Sequence, residues 1–128
     1  MELVAFVVAL ALLEYFVFGL LAGRARATYN VPAPATSGHP TFDRTFRVHQ
    51  NTLEQLVIFV PCMFLFGRYV NWQAAAGLGV VFIIGRALYF RGYVADAAKR
   101  STGFLIGALA QIVLVLGSLI GAALKVLG

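Results

Sequence analysis

The sequence predicts an all-α integral membrane protein, built as a single bundle of four transmembrane helices over residues 1–128. Hydrophobic residues make up 61% of the chain and charged residues only 12%. The mean hydropathy of +0.87 is too high for an ordinary soluble protein of this length. Apolar stretches of about 20 residues, the length that crosses a bilayer, recur along the chain.

The first helix is expected over about residues 2–23, which are almost wholly apolar. This run is too long for a signal peptide and lacks a positively charged start, so we expect it to remain as a helix. Prolines and glycines in residues 27–41 predict a loop. The second helix should cover about residues 42–67, with Asp43 in its first turn, where the helix dipole favours a carboxylate.

The third helix is expected over about residues 72–98 and the fourth over about 102–127, with a tight turn at 68–71 before the third. The fourth helix carries two pairs of glycines at four-residue spacing, a pattern that lets helix backbones approach closely in lipid. These are Gly103, Gly107, Gly117 and Gly121. Their partner is either another helix of the same chain or a second subunit.

Basic residues predict the orientation, because cytoplasmic loops are enriched in lysine and arginine. The side of the first and third loops holds Arg24, Arg26, Arg44, Lys99 and Arg100, with Arg47 and Arg91 close by, whereas the other side holds only Arg68 and Lys125. We therefore expect these loops in the cytoplasm and both termini across the membrane; the short loops favour a bacterial inner membrane. The basic residues form no continuous face, so we expect no nucleic-acid partner.

Polar residues crowd the start of the second helix, directly before a long apolar run. Arg47, Asn51 and Glu54 are spaced i, i+4 and i+7, which places them on one helix face, and Arg44 extends this stripe. His49 lies on a flank. Ionisable groups at the mouth of a membrane span are costly, so such groups usually face the protein interior, a partner or a ligand.

The third helix carries a matching stripe of Arg86, Tyr89 and Tyr93, which Arg100 would continue if the helix persisted that far. Guanidinium groups suit carboxylates, and Glu54 suits an ammonium group. The two stripes therefore predict a site for a small, polar, anionic ligand that also carries a cation. The alternative is a structural network in which Arg86 and Glu54 neutralise each other.

Other polar residues point to less specific roles. Glu14, midway along the first helix, could be the proton or cation site of a small exporter, or an interhelical hydrogen-bond partner. Cys62 is a lone cysteine among apolar neighbours, which favours packing. The two histidines and the cysteine show no metal-ligand spacing, so we predict no metal site.

Two motifs resemble the signatures of the MAPEG family, the membrane-associated proteins in eicosanoid and glutathione metabolism. The first is FDRTFRVHQNTLE at residues 42–54, and the second is GRALYFRGY at residues 85–93, followed by Lys99 and Arg100. The resemblance extends over about residues 24–104 without gaps. It implies a four-helix protomer and a homotrimer, with glutathione bound between subunits at the cytoplasmic end.

The resemblance also implies site residues. Arg100 matches the arginine that stabilises the glutathione thiolate, and is the predicted catalytic residue. The predicted glutathione contacts are Arg26, Arg47, His49, Asn51, Glu54, Arg86, Tyr89 and Tyr93. The chain departs from the leukotriene-forming members of the family at Ala27, His49, Gln55 and Arg91, which argues against leukotriene A as the substrate.

The implied activity is that of a microsomal-type glutathione transferase. It would conjugate glutathione to lipophilic electrophiles that arrive through the membrane lipids. Reduction of a lipid hydroperoxide requires the same thiolate, so peroxidase activity is a second expectation. Three alternatives remain open: a glutathione-dependent isomerase, a non-enzymatic lipid-binding member of the family, and a proton-coupled exporter that uses Glu14.

Overall fold

The computed structural model describes residues 1–128 as four long helices and one short 3₁₀ turn. The helices are α1 (Glu2–Thr28), α2 (Pro40–Tyr69), α3 (Trp72–Ala95) and α4 (Ser101–Leu127), and the 3₁₀ turn Ala97–Lys99 joins α3 to α4. All four helices are long and apolar enough to cross a membrane. The predicted all-helical class and its four membrane-spanning helices are therefore confirmed.

The first loop is shorter than the sequence predicted because both flanking helices extend into it. Helix α1 continues to Thr28 instead of ending near residue 23. Helix α2 begins at Pro40, where the missing proline N–H costs no helical hydrogen bond. The His39 ring accepts a hydrogen bond from the Thr41 N–H at 3.2 Å, and Asp43, in the first turn, accepts one from the Gly38 N–H at 2.9 Å.

Helix α3 ends at Ala95, so the prediction that it continues to about residue 98 was wrong. Asp96 has an extended backbone (φ −162°, ψ 123°). Its carboxylate accepts a hydrogen bond from the Ala98 N–H at 3.1 Å, as an N-cap aspartate does, and starts the 3₁₀ turn. Arg100 therefore does not continue the stripe of α3 but stands at the start of α4.

The main hydrophobic core runs through the centre of the bundle. The Phe59 ring of α2 stacks on the Phe82 ring of α3, with 4.0 Å between the ring centroids, and both side chains are buried. Val7 of α1 and Leu114 of α4 complete this core from the other two helices. Many large apolar side chains elsewhere are exposed, which is typical of helices that face lipid or other subunits.

Glycines hold α3 and α4 in close contact. A Cβ atom on Gly85 would lie 2.6 Å from the backbone nitrogen of Gly107, and one on Gly103 would collide with the backbone of Tyr89. The second glycine pair of α4 faces the carboxyl end of α2. Of the two alternatives, the glycine spacing of α4 thus serves packing within the chain.

Candidate functional site

A cavity of about 690 Å³ opens at the end of the bundle where α2 begins, α3 ends and α4 begins. Its volume falls in the range of about 300–1,000 Å³ that is usual for small-molecule sites. The lining residues are Arg47, Asn51, Tyr89, Tyr93, Arg100, Ser101, Phe104 and Leu105. We call this space the polar cavity. It brings together five of the nine residues that the sequence singled out.

One wall of the polar cavity is the stripe on α2. The Arg47 guanidinium lies 3.6 Å from the Glu54 carboxylate, and the Asn51 amide donates a hydrogen bond to the same carboxylate at 3.4 Å. Arg47 and Glu54 have about half of their side-chain surface exposed. Such an exposed ion pair is worth at most about 1 kcal/mol, so a ligand with its own charges can replace it. Glu54 borders the cavity without lining it.

The opposite wall is formed by two tyrosines and an arginine. The Tyr89 and Tyr93 rings stack with 5.5 Å between their centroids. The Arg100 guanidinium carbon lies 5.9 Å from the Tyr93 ring centroid, and its Nη1 donates to the Ala97 carbonyl at 3.3 Å. Arg100 is exposed, so its remaining N–H donors are available to a ligand.

The amino end of α4 adds positive potential to the polar cavity. Arg100 occupies the cap position, and no side chain caps this end of the helix. The first backbone N–H groups of a helix lack intrahelical acceptors, and the helix dipole is positive there. Together with Arg47 and Arg100, this end of α4 outweighs the single carboxylate of Glu54. The polar cavity is therefore suited to an anionic ligand.

Arg86 does not line the polar cavity, although the sequence placed it among the ligand contacts. Only 2% of its surface is exposed. Its Nη2 donates to the Asn51 Oδ1 and to the Thr52 Oγ1, both at 2.8 Å, and its guanidinium carbon lies 4.4 Å from the Tyr89 ring centroid. Arg86 thus lies behind the cavity wall and orients two residues, Asn51 and Tyr89, that form it.

Arg26 and His49 are also absent from the polar cavity. Arg26 donates hydrogen bonds to the carbonyls of Val31 and Ala35, at 3.2 and 2.7 Å, and so organises the first loop. His49 points toward α1, where its ring stacks on Tyr15 with 4.6 Å between the centroids. Within one chain, these two residues and the polar cavity lie apart.

Sequence reasoning missed three residues that line the cavity, and it did not foresee the contact that Arg44 makes. Ser101, Phe104 and Leu105 line the cavity from α4. The sequence indicates their role only by their position: they follow Arg100 and share one helix face. The rest of that segment has the apolar composition of an ordinary membrane-spanning helix. Arg44, expected to extend the polar stripe, instead donates to the carbonyl of Val94 at 3.0 Å and fastens α2 to the end of α3.

Comparison with known proteins identifies the relatives of this chain. The sequence model of the MAPEG family matches residues 4–120. An uncharacterized protein of Synechocystis sp. is 47% identical over 116 residues, which cover 91% of this chain and 85% of that protein. Human microsomal glutathione S-transferase 2 is 44% identical over 119 residues, covering 91% and 80%. Rat leukotriene C4 synthase is 36% identical over 98 residues, covering 77% and 65%.

Proposed function

Because this chain belongs to the MAPEG family, we propose that it is a membrane-bound glutathione transferase that conjugates glutathione to lipophilic electrophiles. The family match over residues 4–120 confirms the resemblance of the two motifs. The observation that carries the proposal is the convergence of Arg47, Asn51, Tyr93 and Arg100 on one cavity of suitable size.

Glutathione carries two carboxylates, an ammonium group and a thiol, and the polar cavity offers partners for one carboxylate, the ammonium group and the thiol. Arg47 binds a carboxylate in a charge-assisted pair, Glu54 binds the ammonium group, and the Asn51 amide bonds to the peptide backbone of glutathione. Binding separates Arg47 from Glu54, at a cost of at most about 1 kcal/mol because that pair is exposed.

Arg100 is the residue that we assign to activation of the thiol. A free thiol has a pKa near 8.5 and is mostly protonated at neutral pH, whereas the thiolate is the nucleophile. A guanidinium close to the sulfur lowers the pKa of the glutathione thiol by direct electrostatics, and the amino end of α4 acts in the same direction. The Tyr93 hydroxyl orients the sulfur by donating a hydrogen bond to it.

The thiolate then attacks an electrophile that enters from the bilayer. With an aryl halide, the new bond joins sulfur to the ring carbon, and the halide leaves with the electron pair of the broken bond. The thiol proton has already passed to solvent.

With a lipid hydroperoxide, sulfur attacks an oxygen, the O–O bond breaks, and the departing alkoxide takes a proton to form an alcohol. A second glutathione converts the resulting sulfenic acid into disulfide and water.

We further propose a homotrimer in which a neighbouring subunit supplies Arg26 and His49 to the polar cavity. This explains why these two residues lie apart from the cavity within one chain. The basic residues cluster at the cavity end of the bundle, which supports a cytoplasmic site in a bacterial inner membrane. The cytoplasm also holds the glutathione pool.

Calorimetric titration of the purified protein with glutathione, followed by turnover of an aryl halide, tests the proposal. We expect binding, consumption of glutathione, and a large rise in the KM for glutathione in Arg47→Ala. A protein that binds no glutathione would be a lipid-binding member of the family. One that binds glutathione without consuming it while converting a lipid peroxide would be an isomerase.

A further inference from the structure

A second cavity, of about 320 Å³, lies between α2 and α4. Most of its lining is apolar, including Ile58, Ala108 and Ile112, but two glutamines, Gln55 and Gln111, also face it. We call this space the apolar groove. An amide pair is an unusual feature in such a lining, because polar side chains within a membrane are costly unless they have a partner.

The apolar groove continues the polar cavity along the same two helices. On α2, Asn51 lines the polar cavity and Gln55, one turn later, lines the groove. On α4, Leu105 lines the cavity, while Ala108 and Ile112 line the groove at the i+3 and i+7 positions of the same face. At 1.5 Å per residue, Gln55 lies about 6 Å farther along the helix than Asn51. The two glutamines therefore stand where the polar cavity gives way to the apolar groove.

The glutamine pair leaves one acceptor without a partner. The Gln111 Nε2 donates to the Gln55 Oε1 at 2.6 Å. Gln111 has only 7% of its surface exposed, and its Oε1 is buried with no hydrogen-bond partner. A buried, unsatisfied acceptor costs about 1–3 kcal/mol, which a ligand with a matching donor would relieve. Gln55 uses its oxygen in the pair, and its N–H groups make no hydrogen bond within the chain.

An acceptor next to a donor is the complement of a hydroxyl group, which donates one hydrogen bond and accepts another. We propose that Gln55 and Gln111 select lipophilic electrophiles that carry a hydroxyl group between the reactive end and the apolar tail, as hydroxyalkenals do. The hydroxyl donates to the Gln111 Oε1 and accepts from the Gln55 amide. The tail occupies the apolar groove, and the reactive end reaches the polar cavity.

This inference rests on the proposed transferase function for its chemical step. The glutathione sulfur adds to the β-carbon of the alkenal, and a new S–C bond forms. The electron pair of the C=C bond moves toward the carbonyl, and the α-carbon takes a proton from water. No group leaves, and no further reactant is needed.

The test compares hydroxynonenal with nonenal, which lacks the hydroxyl. In the wild-type protein, the ratio of the two kcat/KM values reports the selection for the hydroxyl. Loss of one neutral hydrogen bond in Gln111→Leu should lower that ratio roughly 5- to 10-fold. Gln111→Met, which keeps the side-chain length, should lower it similarly if the leucine variant folds poorly. The control Gln73→Leu changes an exposed glutamine at the start of α3 and should keep the ratio. A wild-type ratio in both Gln111 variants would overturn the inference.

A binding measurement separates this inference from the proposed function. Nonanol and nonane do not react, so their stabilisation of the protein against heat depends on binding alone. We expect nonanol to stabilise the wild-type protein more than it stabilises Gln111→Met. Nonane should stabilise the two proteins equally. This pattern in a protein without transferase activity would support the hydroxyl site while refuting the proposed function. Equal effects of nonanol on both proteins would refute the hydroxyl site, whatever the transferase activity.

Discussion

Arg86 places a guanidinium in the interior of the bundle, where desolvation of a charge costs several kcal/mol. Two hydrogen bonds of 2.8 Å, to Asn51 and Thr52, and the face of the Tyr89 ring offset this cost. Glu14 on α1 forms neither an ion pair nor a hydrogen bond with Arg86, and its Oε1 is buried without a partner. The hydrogen-bonding role that the sequence allowed for Glu14 thus has no partner within the chain, and neither of its two predicted roles is tested.

Replacing Arg86 should therefore reduce both stability and glutathione binding. In Arg86→Ala, Asn51 and Thr52 lose their shared donor and a cavity opens, so we expect a loss of about 3 kcal/mol. The control is Arg91→Ala, which removes an exposed arginine five residues after Arg86 on the same helix. It should change stability by at most about 0.5 kcal/mol. Thermal unfolding in detergent measures both. Equal midpoints for the two variants would contradict the role assigned to Arg86.

Helical spacing predicted which residues share a face but not what lies opposite that face. It correctly placed Arg47, Asn51 and Glu54 together, because their contacts follow from one helix alone. It could not show that His49 stacks on a ring of α1, or that Arg86 is covered by its neighbours. Those facts depend on how the helices pack, which the spacing within a single helix does not contain.

At the scale of the elements, the join between α3 and α4 determines the position of Arg100. Asp96 ends α3 by capping the 3₁₀ turn, and α4 starts within a few residues. The close contact of Gly103 with the backbone of Tyr89 then holds the amino end of α4 against α3. The sequence predicted both helices but not this break, because one aspartate cap is a weak signal beside a long apolar pattern.

Gly103→Ala should push α4 away from α3. The added methyl group would collide with the backbone of Tyr89, which cannot move aside as a flexible side chain can. We expect a loss of about 1–3 kcal/mol in stability and weaker glutathione binding. Gly77→Ala is the matched control, since its Cβ would meet nothing within 4 Å. It should raise stability by roughly 0.5–1 kcal/mol.

Unfolding midpoints and calorimetric titration with glutathione measure these two glycine variants. If Gly103→Ala is as stable as Gly77→Ala and binds glutathione equally well, the contact between α3 and α4 does not support the polar cavity in the proposed way.

At the scale of the whole molecule, charge and hydrophobic surface are separated. The arginines of the polar cavity and of the first loop lie at one end of the bundle, and large apolar side chains cover much of its length. The apolar surface is suited to lipid and to neighbouring subunits. Within one chain Arg26 and His49 lie apart from the polar cavity, and the proposed homotrimer would bring them to it from a neighbouring subunit.

Mixed assemblies test such sharing. Arg100→Ala and Arg26→Ala should each be nearly inactive as pure assemblies. If different subunits supply the two residues, random mixing of the variants in equal amounts restores both arginines at about one quarter of the sites. Co-expression should then recover about that fraction of wild-type turnover. Activity no higher than that of the pure variants would place both residues of a site on one subunit.

The central claim is that Arg100 holds bound glutathione as a thiolate, and ultraviolet difference spectroscopy measures this directly. Adding glutathione to the wild-type protein at neutral pH should produce a thiolate absorption band, because the pKa of the bound thiol falls below its free value of about 8.5. Arg100→Ala, at saturating glutathione, should show the band only at higher pH, whereas Arg91→Ala should behave as the wild type. The same band at the same pH in Arg100→Ala would contradict the account.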